Sequence, residues 1–213
     1  MNAADHILLL SPAETLRRLP RVLLGLVGFG VGIALMIEGD LGLAPWDVFH
    51  KGVATQVGWS VGTVLIITSV VVVVGFVALG ERLGLGTILN AVVIGLVVDA
   101  SLPLLPTPAA LPARLAFTIG GPVLIAMASG LYIGGGLGPG PRDGLMTGLA
   151  NRGIPVWKAR TGIEMTVLVV GLFLGGTVGI GTVWFTLGIG PMVQFFLPRF
   201  SLEPPRSRDY SSN

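Results

Sequence analysis

GDLGLAPWDVFHKG, residues 39–52, and GGLGPGPRDGLMTG, residues 135–148, are one block of sequence written twice. Set 96 positions apart, 6 of 14 residues coincide: Gly39/Gly135, Leu41/Leu137, Gly42/Gly138, Pro45/Pro141, Asp47/Asp143 and Gly52/Gly148. The likeness resumes at an offset of 95, where GLGT at 84–87 matches GIGT at 179–182 and Gly95 matches Gly190. In each block the glycines permit a tight turn, and Pro45 or Pro141 suits the first helical position. Asp47 or Asp143 follows in the first turn, beside unpaired amides and the positive helix end. The segments after them, Val48–Val57 and Gly144–Arg152, form about three turns of helix, too short to cross a bilayer.

Outward from these blocks the chain is strongly apolar: 52% hydrophobic, 11% charged, mean hydropathy +0.85. The runs Gly52–Gly80, Leu115–Pro141 and Met165–Pro198 carry no Asp, Glu, Lys or Arg, and each can hold a span of about 20 residues. The 33 glycines suit membrane helices that approach closely. Six spans are expected, near Arg21–Ile37, Ser60–Leu79, Gly86–Leu105, Ala113–Ile133, Val156–Leu174 and Gly181–Leu197. The fold class expected is an all-α membrane protein of two three-helix repeats, each with a Gly-rich turn and a short half-helix. The corresponding divisions are a cytoplasmic segment 1–20, membrane repeats 21–105 and 106–200, and a disordered cytoplasmic tail 201–213.

Basic residues set the topology. With the amino terminus in the cytoplasm, Arg17, Arg18, Arg21, Arg82, Arg142, Arg152, Lys158, Arg160, Arg199, Arg206 and Arg208 fall inside, and only Lys51 and Arg114 fall outside. Both termini are then cytoplasmic in a multi-pass plasma-membrane protein, and the first apolar helix is a retained anchor, since Ile7–Leu10 is too short for a signal peptide. Three spans per repeat invert the second half relative to the first, an arrangement that places a substrate site at the repeat interface. If the short helices crossed fully, each half would have four spans and the repeats would be parallel; the charge distribution favours three.

Two readings of the aspartates follow: helix-terminus stabilisers, or carboxylates near a substrate where two half-helices point at one cavity. A half-helix amino terminus invites an anion; a carboxylate already there shifts the preference to a cation, an amine or a proton. Gly42, Gly138, Pro45 and Pro141 shape that site. Within the spans, Glu164 is a candidate coupling group, with Arg160 four residues before it on the same face. Asp99 and Asn90 in the third span are further pathway candidates, Asp99 matching Gln194 at the 95-residue offset. Glu38 and Asp40 are expected among headgroups, His50 at the interface, Lys51 paired with Asp47, and Trp46, Trp59, Trp157 and Trp184 in an aromatic belt.

Other classes recede. There is no cysteine, the two histidines are too far apart for a histidine metal site, and Ser60, Ser69 and Ser129 have no histidine at suggestive spacing, so no enzyme, metal or cofactor is expected. Gly134–Gly140 lacks the ending and context of a nucleotide loop. The net charge of +2 does not point to nucleic acid.

The two blocks and the later GLGT resemble the bacterial YczE/YyaS/YitT family of integral membrane proteins, over about Arg21–Arg199. The chain is nearer the YczE-like branch, lacking the soluble carboxyl-terminal domain typical of YitT-like members. The resemblance implies a multi-spanning plasma-membrane protein and carries no catalytic residues or substrate. The leading expectation is a small secondary transporter or permease of a small solute in the lipid bilayer, with dimerisation through Gly-rich helix faces. The alternative is a non-transporting scaffold or regulator acting through helix partners.

Overall fold

The computed structural model describes residues 11–81 and 83–202, so Arg82 and the outermost parts of the expected terminal segments lie outside the described residues. Among the described residues, eight α-helices follow in order: α1 (Pro12–Gly39), α2 (Pro45–Val57), α3 (Val61–Ala78), α4 (Leu85–Ser101, continued by a 3-10 turn Leu102–Leu104), α5 (Leu111–Gly134), α6 (Pro141–Ala150), α7 (Val156–Phe173) and α8 (Ile180–Phe200). α1 starts earlier than the expected span because Ser11 caps it, accepting from Glu14 N at 3.3 Å with Pro12 at the first helical position. Among the described residues, five helices, α1, α3, α4 with its 3-10 turn, α5 and α8, are long and apolar enough to cross a membrane. α7 has 18 residues but carries Lys158, Arg160 and Glu164, so the expected span Val156–Leu174 does not stand on length and composition. At roughly 1.5 Å per residue, α2 and α6 extend only about half to two-thirds of a hydrocarbon core of about 30 Å.

α1 and α5 form the spine. A Cβ on Gly25 would lie 2.8 Å from Ala128 O, and one on Gly32 would lie 2.9 Å from Gly121 O. Further along, a Cβ on Gly39 would lie 3.1 Å from Arg114 O. The partner numbers fall as the α1 numbers rise, so the two helices run antiparallel. Adding 96 maps Gly25 onto Gly121, Gly32 onto Ala128 and Met36 onto Tyr132. The contact of Gly25 with Ala128 and Tyr132 and that of Gly121 with Gly32 and Met36 are therefore one contact made twice. Around this seam lie Leu26, Ile33, Met36, Ile94, Ile125 and Tyr132, all buried.

The other helices follow the same doubling. α4 packs on α1 as α8 packs on α5, α7 on α2 as α3 on α6, and α3 on α2 as α7 on α6. The doubling breaks most clearly here: α3 packs along α4, and no comparable contact joins α7 to α8. The α3–α4 seam is pinned by Asp99, which accepts from Ser60 Oγ at 2.5 Å and Gly62 N at 2.8 Å. The positions matching Asp99 and Ser60 in the second half are Gln194 and Pro155, and no hydrogen bond joins these among the described residues.

At the end of α1, Asp40 sits in the left-handed region with φ of 47°. Its partners are Lys51 at 3.4 Å and Arg114, which donates to Gly39 O at 3.0 Å and Asp40 O at 2.6 Å. Lys51 thus pairs with Asp40 instead of the expected Asp47, because Asp47 faces inward and is 2% exposed. Glu38 accepts from Thr107 Oγ1 at 2.7 Å.

The α1–α5 seam sets a stability test. Gly25→Ala puts a methyl against backbone atoms that cannot yield, and should cost about 1–3 kcal/mol. Gly120→Ala, with nothing within 4 Å of the added carbon, should leave the thermal midpoint of the detergent-solubilised protein unchanged or raised. Equal midpoints for the two variants would contradict the packing.

A candidate solute cavity between two half-helix starts

Each Gly-rich turn docks on the other half. Gly181 N, at the start of α8, donates to Leu41 O at 2.8 Å, and Gly86 N, at the start of α4, donates to Leu137 O at 2.8 Å. Gly42 and Gly138 take φ of 115° and 124°, conformations that favour glycine. A Cβ on Gly42 would lie 2.6 Å from Gly179 N, and one on Gly138 would lie 2.7 Å from Gly84 Cα. The recurring Gly-x-Gly-Thr motifs complete each joint. Thr87 Oγ1 accepts from Gly84 N at 3.3 Å and donates to Pro139 O at 2.7 Å; Thr182 Oγ1 accepts from Gly179 N at 3.2 Å. Gly42 and Gly138 are therefore structural supports behind the cavity wall, not lining residues.

These joints aim the starts of α2 and α6 at each other. Ala44 and Gly140 are the cap residues, Pro45 and Pro141 open the helices as expected, and neither cap makes a side-chain hydrogen bond. The Arg142 guanidinium lies over the Trp46 ring, 4.8 Å from its centroid, and Arg142 Nη2 is 3.8 Å from Asp47 Oδ1. Trp46 and Arg142 occupy equivalent places in the two blocks, so the doubled structure meets itself here.

Several expectations change at this point. Arg142 is not a loop cation, because Trp46 and Asp47 hold it inside the helical assembly. Trp46 belongs to no interfacial belt: it is 7% exposed and forms part of the cavity wall. His50 is fully buried instead of interfacial, and its Nδ1 lies 3.1 Å from Asp47 Oδ1. The Asp47 carboxylate can only accept, so His50 Nδ1–H donates to it, and Nε2 is buried with no hydrogen-bond partner among the described residues. Asp47 does more than stabilise a helix terminus: it accepts from His50 and faces Arg142 as an ion pair at 3.8 Å.

The cavity between the two starts has a volume of about 280 Å³. Its polar lining is Ser69, Asn90, Ser129, Tyr132, Arg142, Asp143, Arg160, Glu164 and Gln194, with Pro45, Trp46 and Pro141 beside them. Arg160 Nε donates to Glu164 Oε1 at 3.0 Å, forming the i,i+4 pair expected from their spacing. Asp143, by contrast, is exposed to the cavity, and no hydrogen bond or ion pair engages its carboxylate among the described residues. Arg142 has its ion pair and ring contact but no hydrogen bond there. Asp47 backs the wall through Arg142, and Asp99 sits apart, on the α3–α4 seam. The lining also includes Phe185, Ile189 and Gln194 of α8, together with Arg160 and Glu164 of α7. The cavity thus reaches the place where the doubled packing is broken. Among the described residues no group of three His, Cys, Asp or Glu is placed to hold a metal ion.

Several apolar membrane-length helices enclosing a charged cavity define an integral membrane protein. Residues 16–198 match the family of unknown function DUF6198, and the chain belongs to that family. It is 40% identical over 169 residues to an uncharacterised protein of Haemophilus influenzae, covering 79% of this chain and 78% of that one. To the uncharacterised membrane protein YczE of Bacillus subtilis it is 36% identical over 179 residues, covering 82% and 83%. To the uncharacterised protein YyaS of the same organism it is 26% identical over 185 residues, covering 82% and 90%. The expected YczE-like kinship is therefore shown. No solved structure matches the chain.

The two aspartates should separate in a stability measurement. Asp47→Asn withdraws the charge facing Arg142 and weakens the His50 bond, and should cost about 1–3 kcal/mol. Asp143→Asn removes a carboxylate with no hydrogen bond or ion pair among the described residues and should leave the protein as stable as before or more stable. Thermal unfolding of both variants in the same detergent checks the contrast.

Proposed function

We propose that this protein is a small secondary transporter or permease of a small solute, working by alternating access. In this reading the two halves insert in opposite orientations, with both termini cytoplasmic in the bacterial plasma membrane. α7 crosses as a sixth span, its charges turned to the cavity. The carrying observation is that one charged cavity lies where the two half-helix starts meet, Arg142 against Trp46 and Asp47. Short helices that end at an internal site and antiparallel equivalent helices are the features expected of inverted-repeat transporters. Dry scaffolds have no need to hold an unpartnered carboxylate such as Asp143 in a cavity, where desolvation is costly.

The broken doubling supplies the motion. One seam, α3–α4, is closed by Asp99; the equivalent seam, α7–α8, is apart. Exchange of these two arrangements opens the cavity alternately to either side, and Glu164 with Arg160 is the coupling pair on the moving wall.

Counterflow in proteoliposomes tests the reading. Vesicles loaded with a mixed pool of small amines, amino acids and organic acids should exchange at least one labelled member of that pool. Asp143→Asn should reduce that exchange by about tenfold or more, the scale of one lost charge-assisted hydrogen bond, with membrane insertion intact. Normal flux in both Asp47→Asn and Asp143→Asn would refute the proposed roles, and no flux of any pool member would contradict the transporter itself.

A further inference from the structure

We infer that the cavity takes a small zwitterion of amino-acid size, with a carboxylate and an ammonium group on an apolar body; this rests on the solute-site reading above. Three observations converge. Arg142 and Asp143, adjacent at the start of α6, present opposite charges to one cavity, and each has unused hydrogen-bonding capacity there. Arg142 is held by the Trp46 ring and by Asp47 at 3.8 Å, too long for a hydrogen bond, so its N–H groups are free for a carboxylate. Asp143 has no hydrogen bond or ion pair among the described residues, so its oxygens are free for an ammonium. The Trp46 indole N–H is buried without a hydrogen-bond partner among the described residues, and the Trp46 side chain forms part of the same wall.

Charge balance chooses between an ion and a zwitterion. Arg142 and Arg160 against Asp47, Asp143 and Glu164 leave one net negative charge around the cavity. The starts of α2 and α6 both end there, and each contributes about half a positive charge. The sum is near zero. A lone cation meets Arg142 and two positive helix ends, and a lone anion meets Asp143. A solute carrying both charges satisfies both groups without changing the balance. The cavity of about 280 Å³ and its apolar wall of Ile94, Ile125, Phe185 and Ile189 set the size and the apolar character of the rest of the molecule.

The experiment is calorimetric titration of the full-length protein in detergent with matched sets of probes. These are alanine, leucine and phenylalanine, each as the free amino acid, the N-acetyl form and the methyl ester. At least one free amino acid should bind about tenfold or more tightly than both of its blocked forms. Asp143→Asn should lose the preference over the N-acetyl form, and Arg142→Gln the preference over the ester. Arg142→Lys serves if the glutamine variant does not fold; it keeps the charge beside Asp47 and loses the planar fork, so the preference over the ester should fall by a smaller factor. An ester that binds as well as the free acid overturns the inference, as does an N-acetyl form that does so, or no binding by any free amino acid. Preference for a free amino acid without its counterflow in proteoliposomes would keep the zwitterion site and remove the transporter reading. Counterflow of other solutes, with no such preference, would do the reverse.

Discussion

Two backbone hydrogen bonds organise this molecule: Gly181 N to Leu41 O and Gly86 N to Leu137 O, each 2.8 Å long. Either one contributes only about 1 kcal/mol. Their importance lies in what they join. Each Gly-rich turn belongs to one half and docks on the helix start of the other, so neither half can place its short helix alone. Close backbone contact on this scale leaves no room for a Cβ at Gly42 or Gly138, which explains why glycine recurs at these places. The antiparallel α1–α5 seam gives the same result by packing, with small residues where the helices approach most closely.

The polar interior follows from that geometry. Once the starts of α2 and α6 face each other, Arg142 has Trp46 and Asp47 within reach, and Asp47 can take His50 as a second partner. Charges placed inside a membrane protein are costly unless paired. Asp47, Arg160 and Glu164 meet that requirement. Asp143 does not, although it occupies the same place in its block as Asp47. The difference between two equivalent carboxylates, one engaged and one open to the cavity, is the chemical asymmetry on which the proposed function turns. The mechanical asymmetry lies nearby, in one closed helix seam and one open one.

Local features were legible in the sequence. The glycine turns, the prolines at the helix starts, the shortness of α2 and α6 and the Arg160–Glu164 pair all depend on residues a few positions apart. The partners of the repeated motifs were not legible. GLGT and GIGT are visible as a repeat, but nothing local says that each docks on the opposite turn, about 50 residues away in one case and far more in the other. The same blindness misplaced Trp46, His50 and Arg142. A tryptophan and a histidine beside a span end look interfacial, and an arginine between spans looks like a loop cation, unless the chain folds both segments inward. Lys51 was drawn to Asp47 by helical spacing, while tertiary structure turned Asp47 away and offered Asp40.

The most direct measurement is chemical cross-linking between the two helix starts, in membranes, in a chain that has no cysteine of its own. Trp46→Cys with Arg142→Cys, treated with a short bifunctional thiol reagent, should give an intramolecular cross-link, and Trp46→Cys with Arg152→Cys, just beyond the far end of α6, should not. Absence of the first cross-link, with both thiols reactive toward a small monofunctional reagent, would mean that the half-helices do not meet, and would contradict the shared cavity.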